Sequence, residues 1–492
     1  MTKVNEHFFH LNFKNLNSIM RIWIILMLAI VSPILNFAQA NQEGLQLHIS
    51  PAERLLTDSA KVIITGAPPG AEITLLATLK DNGGQTWSSR AIYYANRDGS
   101  VDLSKDASLA GTYQGVDNEG IFWSMQPATL EELGNMGMSE QNIDHPRRIP
   151  DFDSWNAAYS TFKNGVDIVF KAKITGAVAS SFPKVVIGKQ HIQWVKRGVK
   201  RIEIKEGGLR GVLYEAGGEG PQPIALVVTG SGGGAYENKA AVLASNGITA
   251  FALAHFNYSD RPKELKNIPL EYFESALDWL SKRYDLERIA LFGDSRGGEG
   301  VLLIASTFPD KVSVVVAGVP SNVVWSGYYG VPSWTLENQA LPHIPWDFKL
   351  RESDISPNSM EARDLFLKGM TSYDFDDPHW IPVEKIQSPI LLVSGDADAI
   401  WPSSIASEKI VERLKKRRFN FPVEHLEYKG AGHQVTFPML VKGRLTQMEE
   451  KNNISLTLGG TPQGNARAQT DAFQRILSFI KHYAKTNSSV NE

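Results

Sequence analysis

Short apolar runs that alternate with amphipathic helices, from about residue 224 to residue 483, constrain the fold of this chain more than any other feature. The run at 224–229 (IALVVT) has no polar residue before its last position, which is typical of a strand buried on both faces. Further strands are predicted at 248–254, 289–292, 312–317, 389–393 and 422–428, and helices at 236–246, 270–284, 403–416 and 468–483. Such alternation predicts a mostly parallel sheet covered by helices on both faces.

The chain ahead of this pattern has a different rhythm. Between about residues 45 and 182, short β-rich runs such as 61–65 (KVIIT) and 72–77 (EITLLA) are separated by turn residues. We therefore expect an all-β, immunoglobulin-like sandwich domain over residues 41–184 and an α/β domain over residues 185–492. An irregular, aromatic-rich stretch at about 319–386 is predicted to be a cap-like excursion of the second domain.

Composition excludes several classes of function. The formal net charge of -3 gives no basic field for nucleic acid. The 492 residues include no cysteine, which excludes disulfides, cysteine metal ligands and a thiol nucleophile. No histidine pair has metal-ligand spacing near a third ligand, so neither a metal nor another cofactor is expected. Oligomeric state cannot be inferred from these features.

The N-terminus resembles an export signal. After Arg21, an apolar stretch at 22–37 ends ahead of Ala38-Gln39-Ala40, a small-x-small triplet suited to signal-peptidase cleavage. This predicts a cleaved signal peptide over residues 1–40 and a periplasmic or secreted protein without a stable membrane span. The alternative is an N-terminal membrane anchor, although the run is short and Pro33 interrupts it.

A candidate nucleophile lies between a predicted buried strand and a predicted buried helix. The motif Gly293-Asp-Ser295-Arg-Gly297 suits a sharp strand-to-helix turn, where a serine needs small neighbours. A serine hydroxyl also needs a histidine base and an acid that orients it. Asp398 and His433 follow later strands in that order, with Asp396 as a competitor for the acid. Singly, these three are explicable as a turn residue, a helix cap and a surface histidine; together they predict an α/β-hydrolase.

An oxyanion hole is predicted beside this nucleophile. Its donors are expected to be the backbone N–H of Arg296 and amides of the loop Gly230-Ser231-Gly232-Gly233-Gly234, which follows a predicted strand. A phosphate-binding loop is the rival interpretation, but the lysine and hydroxyl residue of a P-loop do not follow. His255, after another strand, is compatible either with a pocket wall or with a structural role.

The chain resembles the family of acyl-CoA thioesterases and bile acid-CoA:amino acid N-acyltransferases. The motifs that carry the resemblance are DGSVDL at 98–103, GTYQGVD at 111–117, GIFWSM at 120–125, TGSGGG at 229–234, FNY at 256–258, LEYFE at 270–274, SRGGE at 295–299 and GAGH at 430–433. The resemblance implies a thioester substrate and an acyl-serine intermediate on Ser295, served by Asp398 and His433. Amidating members use cysteine, so a serine favours water as the acyl acceptor.

Several functions share this chemistry. The leading expectation is hydrolysis of a small-molecule acyl thioester or ester, and the alternatives are amino acid N-acylation, an esterase or a peptidase on the same three residues. Because familiar members act on coenzyme A thioesters inside cells, the predicted export leaves the natural acyl donor open. An exported binding protein is the alternative outside enzymology.

Overall fold

The computed structural model describes residues 44–80, 86–128, 165–175, 185–218, 220–327, 330–345, 363–439, 446–449 and 454–484. Its strands are β1 (Gln46–Ser50), β2 (Glu53–Leu55), β3 (Lys61–Thr65), β4 (Glu72–Lys80), β5 (Thr86–Tyr94), β6 (Val101–Asp102), β7 (Ala110–Gly111), β8 (Gln126–Pro127), β9 (Val166–Thr175), β10 (Val185–Gln193), β11 (Lys200–Ile204), β12 (Gly211–Glu215), β13 (Ile224–Val228), β14 (Thr249–Leu253), β15 (Ile268–Pro269), β16 (Ile289–Asp294), β17 (Val312–Gly318), β18 (Trp334–Leu336), β19 (Gln339–Ala340), β20 (Ile390–Gly395), β21 (Val423–Tyr428), β22 (Thr446–Glu449) and β23 (Ile454–Thr457). Its α-helices are α1 (Gly120–Trp123), α2 (Glu237–Ser245), α3 (Leu270–Tyr284), α4 (Arg296–Thr307), α5 (Arg363–Thr371), α6 (Ser403–Lys416) and α7 (Pro462–Tyr483).

Two β-sheets form the N-terminal region. One has the strand order β1-β3-β6, and the other has the order β2-β10-β9-β4-β5-β7 with β8 beside β5. The sheets face each other, because a Cβ added at Gly188 of β10 would lie 2.7 Å from the side chain of Ile49 in β1. The predicted smaller β domain is therefore confirmed, with the short buried helix α1 as an addition that the strand pattern did not indicate.

The change from one architecture to the other falls later than residue 185. β10 pairs antiparallel with β9 and parallel with β2, so it belongs to the N-terminal sheet. Only β11 begins the second large sheet, through its antiparallel pairing with β12. The predicted boundary at 184/185 thus cuts through the N-terminal sheet. The structure places the transition between Gln193 and Lys200. The predicted position differs because a strand's own pattern does not reveal which sheet accepts its hydrogen bonds.

The second region is built on an eight-stranded sheet with the order β11-β12-β14-β13-β16-β17-β20-β21. The last six strands in this order are all parallel. Every residue of β13, β14, β16 and β20 is buried, as expected where helices cover both faces. This strand order is that of the α/β-hydrolase sheet. Two antiparallel strands are followed by six parallel ones, and β14 lies before β13 in the sheet although it follows β13 in the chain. The predicted fold is confirmed.

This topology determines where a site can form. β13, β16, β20 and β21 run in the same direction, so the loops that leave them emerge at one edge of the sheet. In open α/β sheets this carboxyl edge is where ligands bind. Between β17 and β20 the chain leaves the sheet, and its described part forms β18, β19 and α5. Trp325, Phe366 and Trp380 of this excursion form a separate buried cluster with Trp401, which follows β20.

Candidate active site

Ser295 lies at a strained turn between β16 and α4. Its φ is 59° and its ψ is -122°, a conformation that side-chain-bearing residues adopt at a cost and that recurs at functional sites. A Cβ at Gly293 would lie 2.3 Å from the carbonyl oxygen of Gly297, and one at Gly297 would lie 2.5 Å from that of Val228. Both glycines of the motif are therefore required by close backbone contacts, as the sequence predicted.

Asp398 is a buried carboxylate with four donors. Its Oδ1 accepts hydrogen bonds from the backbone N–H groups of Ile400 (3.0 Å) and Trp401 (3.3 Å). Its Oδ2 accepts one from the hydroxyl of Ser403 at 2.6 Å. The fourth donor is Nδ1 of His433, at 2.8 Å from Oδ2 and 3.0 Å from Oδ1. Donors to both oxygens hold this carboxylate in one orientation.

Asp396, the competing acid, serves a different purpose. Its Oδ1 accepts a hydrogen bond from the backbone of Gly430 at 2.7 Å, and Lys429 lies 3.6 Å from its Oδ2. No contact joins Asp396 to His433 in the part of the chain that the structure describes. The geometry therefore favours Asp398 as the partner of His433.

Three loops converge at the end of β17. The backbone N–H of Ser295 donates to Gly318 O at 2.9 Å, and the indole N–H of Trp401, from the Asp398 loop, donates to Val319 O at 2.9 Å. From the His433 loop, the Cγ2 methyl of Thr436 lies 2.5 Å from where a Cβ of Gly318 would be. The nucleophile turn, the acid loop and the histidine loop therefore meet at two consecutive residues.

The glycine loop lies directly beside the nucleophile. A Cβ at Gly230 would be 3.6 Å from Cβ of Ser295. The amide of Gly233 is bonded to Gly230 O at 3.2 Å and that of Gly234 to Phe256 O at 2.9 Å, so Gly233, predicted as an oxyanion donor, already has an acceptor. The amides of Ser231 and Gly232 have none among the described residues. They are the better loop candidates, together with the backbone N–H of Arg296.

The Arg296 side chain points into the protein. Its Nη1 donates to Glu299 Oε2 at 2.6 Å, and its Nη2 donates to Trp325 O at 2.9 Å and to the hydroxyl of Ser333. Trp334 Nε1 donates to the other Glu299 oxygen at 2.7 Å. Burial raises the pKa of Glu299 to about 7 against the opposing charge of Arg296. This network ties the nucleophile helix to the start of the excursion.

His255 is a structural residue. It is fully buried and packs against the rings of Phe256, Phe273 and Trp334 at centroid distances of 5.0, 5.1 and 5.8 Å. Burial, and secondarily the charge of Arg261, lower its pKa to about 3. Its Nε2 has no hydrogen-bond partner within the described part of the chain. Of its two predicted roles, the structure therefore favours the structural one.

A surface cavity of about 1100 Å³ lies far from this corner. It is lined by residues such as Thr307, Trp380 and Phe421. The lining residues on α4 begin at Leu303, eight residues after Ser295, which corresponds to about 12 Å along the helix. The cavity is not the space in which an acyl group could meet Ser295. In the described ranges no group of three or more His, Asp or Glu side chains is arranged to hold a metal ion.

Comparison with known proteins identifies the family. Residues 268–486 match the family described as BAAT / acyl-CoA thioester hydrolase C terminal, and residues 57–149 match the acyl-CoA thioester hydrolase/BAAT N-terminal region. The chain belongs to the BAAT/acyl-CoA thioester hydrolase family. The resemblance predicted from the sequence motifs is thereby confirmed.

Similar members of the family are enzymes of coenzyme A thioesters by name. A bile acid-CoA:amino acid N-acyltransferase from Mus musculus is 29% identical over 88% of this chain and 96% of its own length. The peroxisomal succinyl-coenzyme A thioesterase of the same species is 26% identical over 90% and 98%. Among solved structures, a Paleococcus ferrophilus monoacylglycerol lipase is similar with a TM-score of 0.33 at 18% identity, over 56% of this chain and 99% of its own.

The prediction of export is wrong for this family member. Relatives that align over about nine-tenths of the chain bear the names of coenzyme A enzymes, one of them peroxisomal, and this contradicts a secreted or periplasmic protein. The predicted signal, residues 1–40, lies outside the described residues. The signal-peptide prediction failed because an apolar run followed by small residues indicates only local hydrophobicity. None of the helices that the structure describes has the length and apolar character to cross a bilayer.

Sequence reasoning missed three residues at the site. Ser403 donates to Asp398, and Trp401 packs edge-on against His433 with ring centroids 6.1 Å apart. Both follow Asp398 closely in sequence, so an aspartate with a hydroxyl five residues later was an available signal. Lys239, which forms an ion pair with Asp294, had no such signal, because its partner is 55 residues away.

Proposed function

We propose that this chain is a serine hydrolase of acyl thioesters, with Ser295 as nucleophile, His433 as general base and Asp398 as the residue that orients the imidazole. The observation that carries the proposal is the contact of His433 Nδ1 with the buried Asp398 carboxylate at 2.8 Å. The strained Ser295 donates its backbone N–H to Gly318 O, and Thr436 of the histidine loop packs against the same Gly318. That combination of strained serine, histidine and carboxylate supports acyl transfer.

The first half-reaction forms an acyl-enzyme. His433 Nε2 takes the proton of Ser295 Oγ as this oxygen attacks the thioester carbonyl carbon. The negative charge that develops on the carbonyl oxygen is stabilised by the backbone N–H groups of Arg296 and of Ser231 or Gly232. The carbon–sulfur bond then breaks, and the leaving thiolate takes the proton from His433. The products are a free thiol and acyl-Ser295.

The second half-reaction releases the acid. His433 takes a proton from water, whose oxygen attacks the acyl carbonyl, and the proton returns to Ser295 Oγ as the ester bond breaks. Asp398 keeps its position throughout, because it receives two backbone N–H bonds and the Ser403 hydroxyl besides His433. It holds the imidazole with Nε2 towards the serine and stabilises its positive charge.

Coenzyme A thioesters are the proposed substrates. The relatives named above act on such thioesters by name, and without export the objection that coenzyme A would be scarce disappears. The acceptor is proposed to be water, since Ser295 stands where amidating members are expected to have cysteine. Transfer to an amino acid is the second candidate, because an N-acyltransferase is among the similar relatives, at 29% identity.

The test is thiol release from a panel of acyl-coenzyme A substrates of different chain length. A thiol reagent reports only coenzyme A here, because the protein has no cysteine. Replacing the nucleophile in Ser295→Ala should lower kcat by roughly four to six orders of magnitude. The matched control is Ser306→Ala, on the same helix but at its far end, which should stay within about twofold of wild type.

Two outcomes would change the proposal. Equal rates in wild type and Ser295→Ala would exclude the serine mechanism. Mass spectrometry of the products in the presence of glycine separates hydrolysis from transfer: free acid as the main product supports the proposed reaction, and N-acylglycine as the main product favours the second candidate.

A further inference from the structure

The Lys239–Asp294 ion pair links the glycine loop to the nucleophile turn. Asp294 is the last residue of β16 and directly precedes Ser295, and Lys239 lies in the first turn of α2, just after the loop 230–234. Their side chains are 13% and 11% exposed and are in direct contact. The pair therefore joins the two segments that supply the proposed nucleophile and oxyanion donors.

The stability of helix α2 does not explain the lysine. A positive charge in the first turn of a helix is disfavoured by the helix dipole, which favours acidic residues there. An ion pair removed from water is also a poor means of stabilising a fold, because desolvation offsets most of the attraction. Lys239 is thus in an unfavourable position for its own helix. We therefore explain this position by the segments of the chain that the Lys239 contacts connect.

The contacts of Lys239 reach three segments of the active site: the oxyanion loop, the nucleophile strand and the histidine loop. The Lys239 ammonium lies over the rings of Tyr236, Phe292 and Phe437, at 4.9, 5.5 and 5.9 Å from their centroids. Tyr236 precedes α2, Phe292 belongs to the nucleophile strand, and Phe437 follows His433 in the histidine loop. One cation therefore packs against the oxyanion, nucleophile and histidine segments.

Among the described residues, Lys239 is the one side chain that forms an ion pair or hydrogen bond with the Asp294 carboxylate. Its Oδ1 makes no hydrogen bond in the described part of the chain and faces Gly318, where an added Cβ would lie 2.0 Å away. Nearby, a Cβ at Gly230 would lie only 3.1 Å from Asp294 O. With so little space between loop and turn, the position of α2 determines how the loop amides sit relative to Ser295. A displacement of about 1 Å at a reacting centre is enough to slow catalysis strongly.

We propose that Lys239 and Asp294 are positioning residues that hold the oxyanion loop in register with Ser295. The proposal rests on the proposed role of Ser295 and adds two residues that do not touch the substrate. Its signature is a loss in kcat, because the oxyanion forms only after the substrate is bound. Substrate affinity, and therefore KM where it reports binding, should change little.

The test uses a double variant, Lys239→Met/Asp294→Asn, which leaves no single charge buried. We expect a folded protein by circular dichroism, with kcat lowered by roughly 10- to 100-fold and KM within about threefold of wild type. The labelling rate of Ser295 by a fluorophosphonate should fall in parallel. The matched control is another largely buried ion pair, removed in Arg413→Met/Glu384→Gln, which should leave kcat unchanged.

The outcomes separate this proposal from the proposed function. A folded double variant with kcat within twofold of wild type overturns the positioning role, as does an equal kcat loss in the control pair. If the double variant does not fold, Asp294→Glu decides: a lower kcat at unchanged melting temperature supports positioning, and unchanged kcat overturns it. Wild-type inactivity on every acyl-coenzyme A would count only against the substrate, since fluorophosphonate labelling still reports the nucleophile.

Discussion

Two buried polar clusters in this molecule are built on opposite principles. In the N-terminal region, Arg54 donates to Gln190 at 3.0 Å, to Glu119 at 3.3 Å and to Asp58 O, and it covers the Phe122 ring. Gln190 and Glu119 are in turn engaged by backbone groups. At the catalytic corner, Ser295 is strained and Asp294 Oδ1 has no hydrogen-bond partner among the described residues. The Arg54 cluster is saturated with hydrogen bonds, and such a cluster maintains the shape of the protein. The catalytic corner is strained and has an oxygen without a partner within the described ranges, which is typical of sites that take part in chemistry.

The largest expected effect tests whether the catalytic corner depends on Asp398. Asp398→Asn keeps the shape but cannot hold the imidazole in the required tautomer, so kcat should fall by roughly 10³- to 10⁴-fold. Asp396→Asn, two residues earlier, is the matched control and should change kcat by less than about threefold. Steady-state thiol release measures both. The reverse ranking would make Asp396 the acid.

The second effect belongs to the saturated cluster. Arg54→Met leaves the Glu119 carboxylate without its charge partner, and the free energy of unfolding should fall by about 3–5 kcal/mol. The remaining folded protein should keep wild-type kcat, because the cluster lies outside the catalytic sheet. Urea unfolding and active-site titration measure the two quantities. Lys105→Met, which removes an exposed lysine from its pair with the buried Asp102, should cost under about 1 kcal/mol. A kcat loss in Arg54→Met would contradict the comparison between the two clusters.

A third effect depends on pH. The pKa of buried His255 is lowered to about 3, so below pH 6.5 the unfolded chain binds a proton that the folded protein excludes. The associated stability is present above pH 6.5 and is lost as pH falls towards 3, by about 3 kcal/mol between pH 7 and pH 4. His255→Phe should remove that loss in urea unfolding at several pH values. The control His482→Phe, at an exposed histidine, should leave that loss as it is in wild type. If His255→Phe loses as much stability between pH 7 and pH 4 as wild type, His255 is protonated in the folded protein.

The smallest effect concerns one hydrogen bond. Ser403→Ala removes the hydroxyl that donates to Asp398 Oδ2, while two backbone donors remain. The cost should be about 1–2 kcal/mol, or roughly 5- to 30-fold in kcat. The neighbouring Ser404 donates to Glu427 instead, and Ser404→Ala is the control, with kcat expected to be unchanged. Equal kcat in the two variants would show that the backbone donors alone maintain Asp398.

Much of the catalytic sheet was predictable from local pattern. A strand buried on both faces, such as β16, must be apolar along most of its length, and the residue that follows it then lies at the sheet's ligand edge. The order of Ser295, Asp398 and His433 along the chain was informative for the same reason. The bounds of α3 and α6 match the predicted ones because both helices carry a regular apolar face.

What the residue pattern left undecided depended on the geometry of the folded chain. The predicted domain boundary at 184/185 lies ahead of β10, whereas β10 pairs with β9 and β2, and such pairing is decided by chain geometry and not by the strand's own residues. The choice between Asp396 and Asp398 depended on side-chain direction within one loop. The hydrogen bond of Gly233 to Gly230, which occupies its amide, depended on the curvature of the glycine loop.

The inward course of the Arg296 side chain has a consequence for how substrates reach Ser295. Its guanidinium links Trp325 and Ser333 to Glu299 of the nucleophile helix. Swinging this part of the excursion outward would break the bonds of Arg296 to Trp325 O and Ser333, and it would leave the buried guanidinium without these acceptors. The chain around Trp325 and Ser333 therefore acts as a fixed wall, and adaptation to acyl groups of different size has to come from other surfaces of the active-site corner.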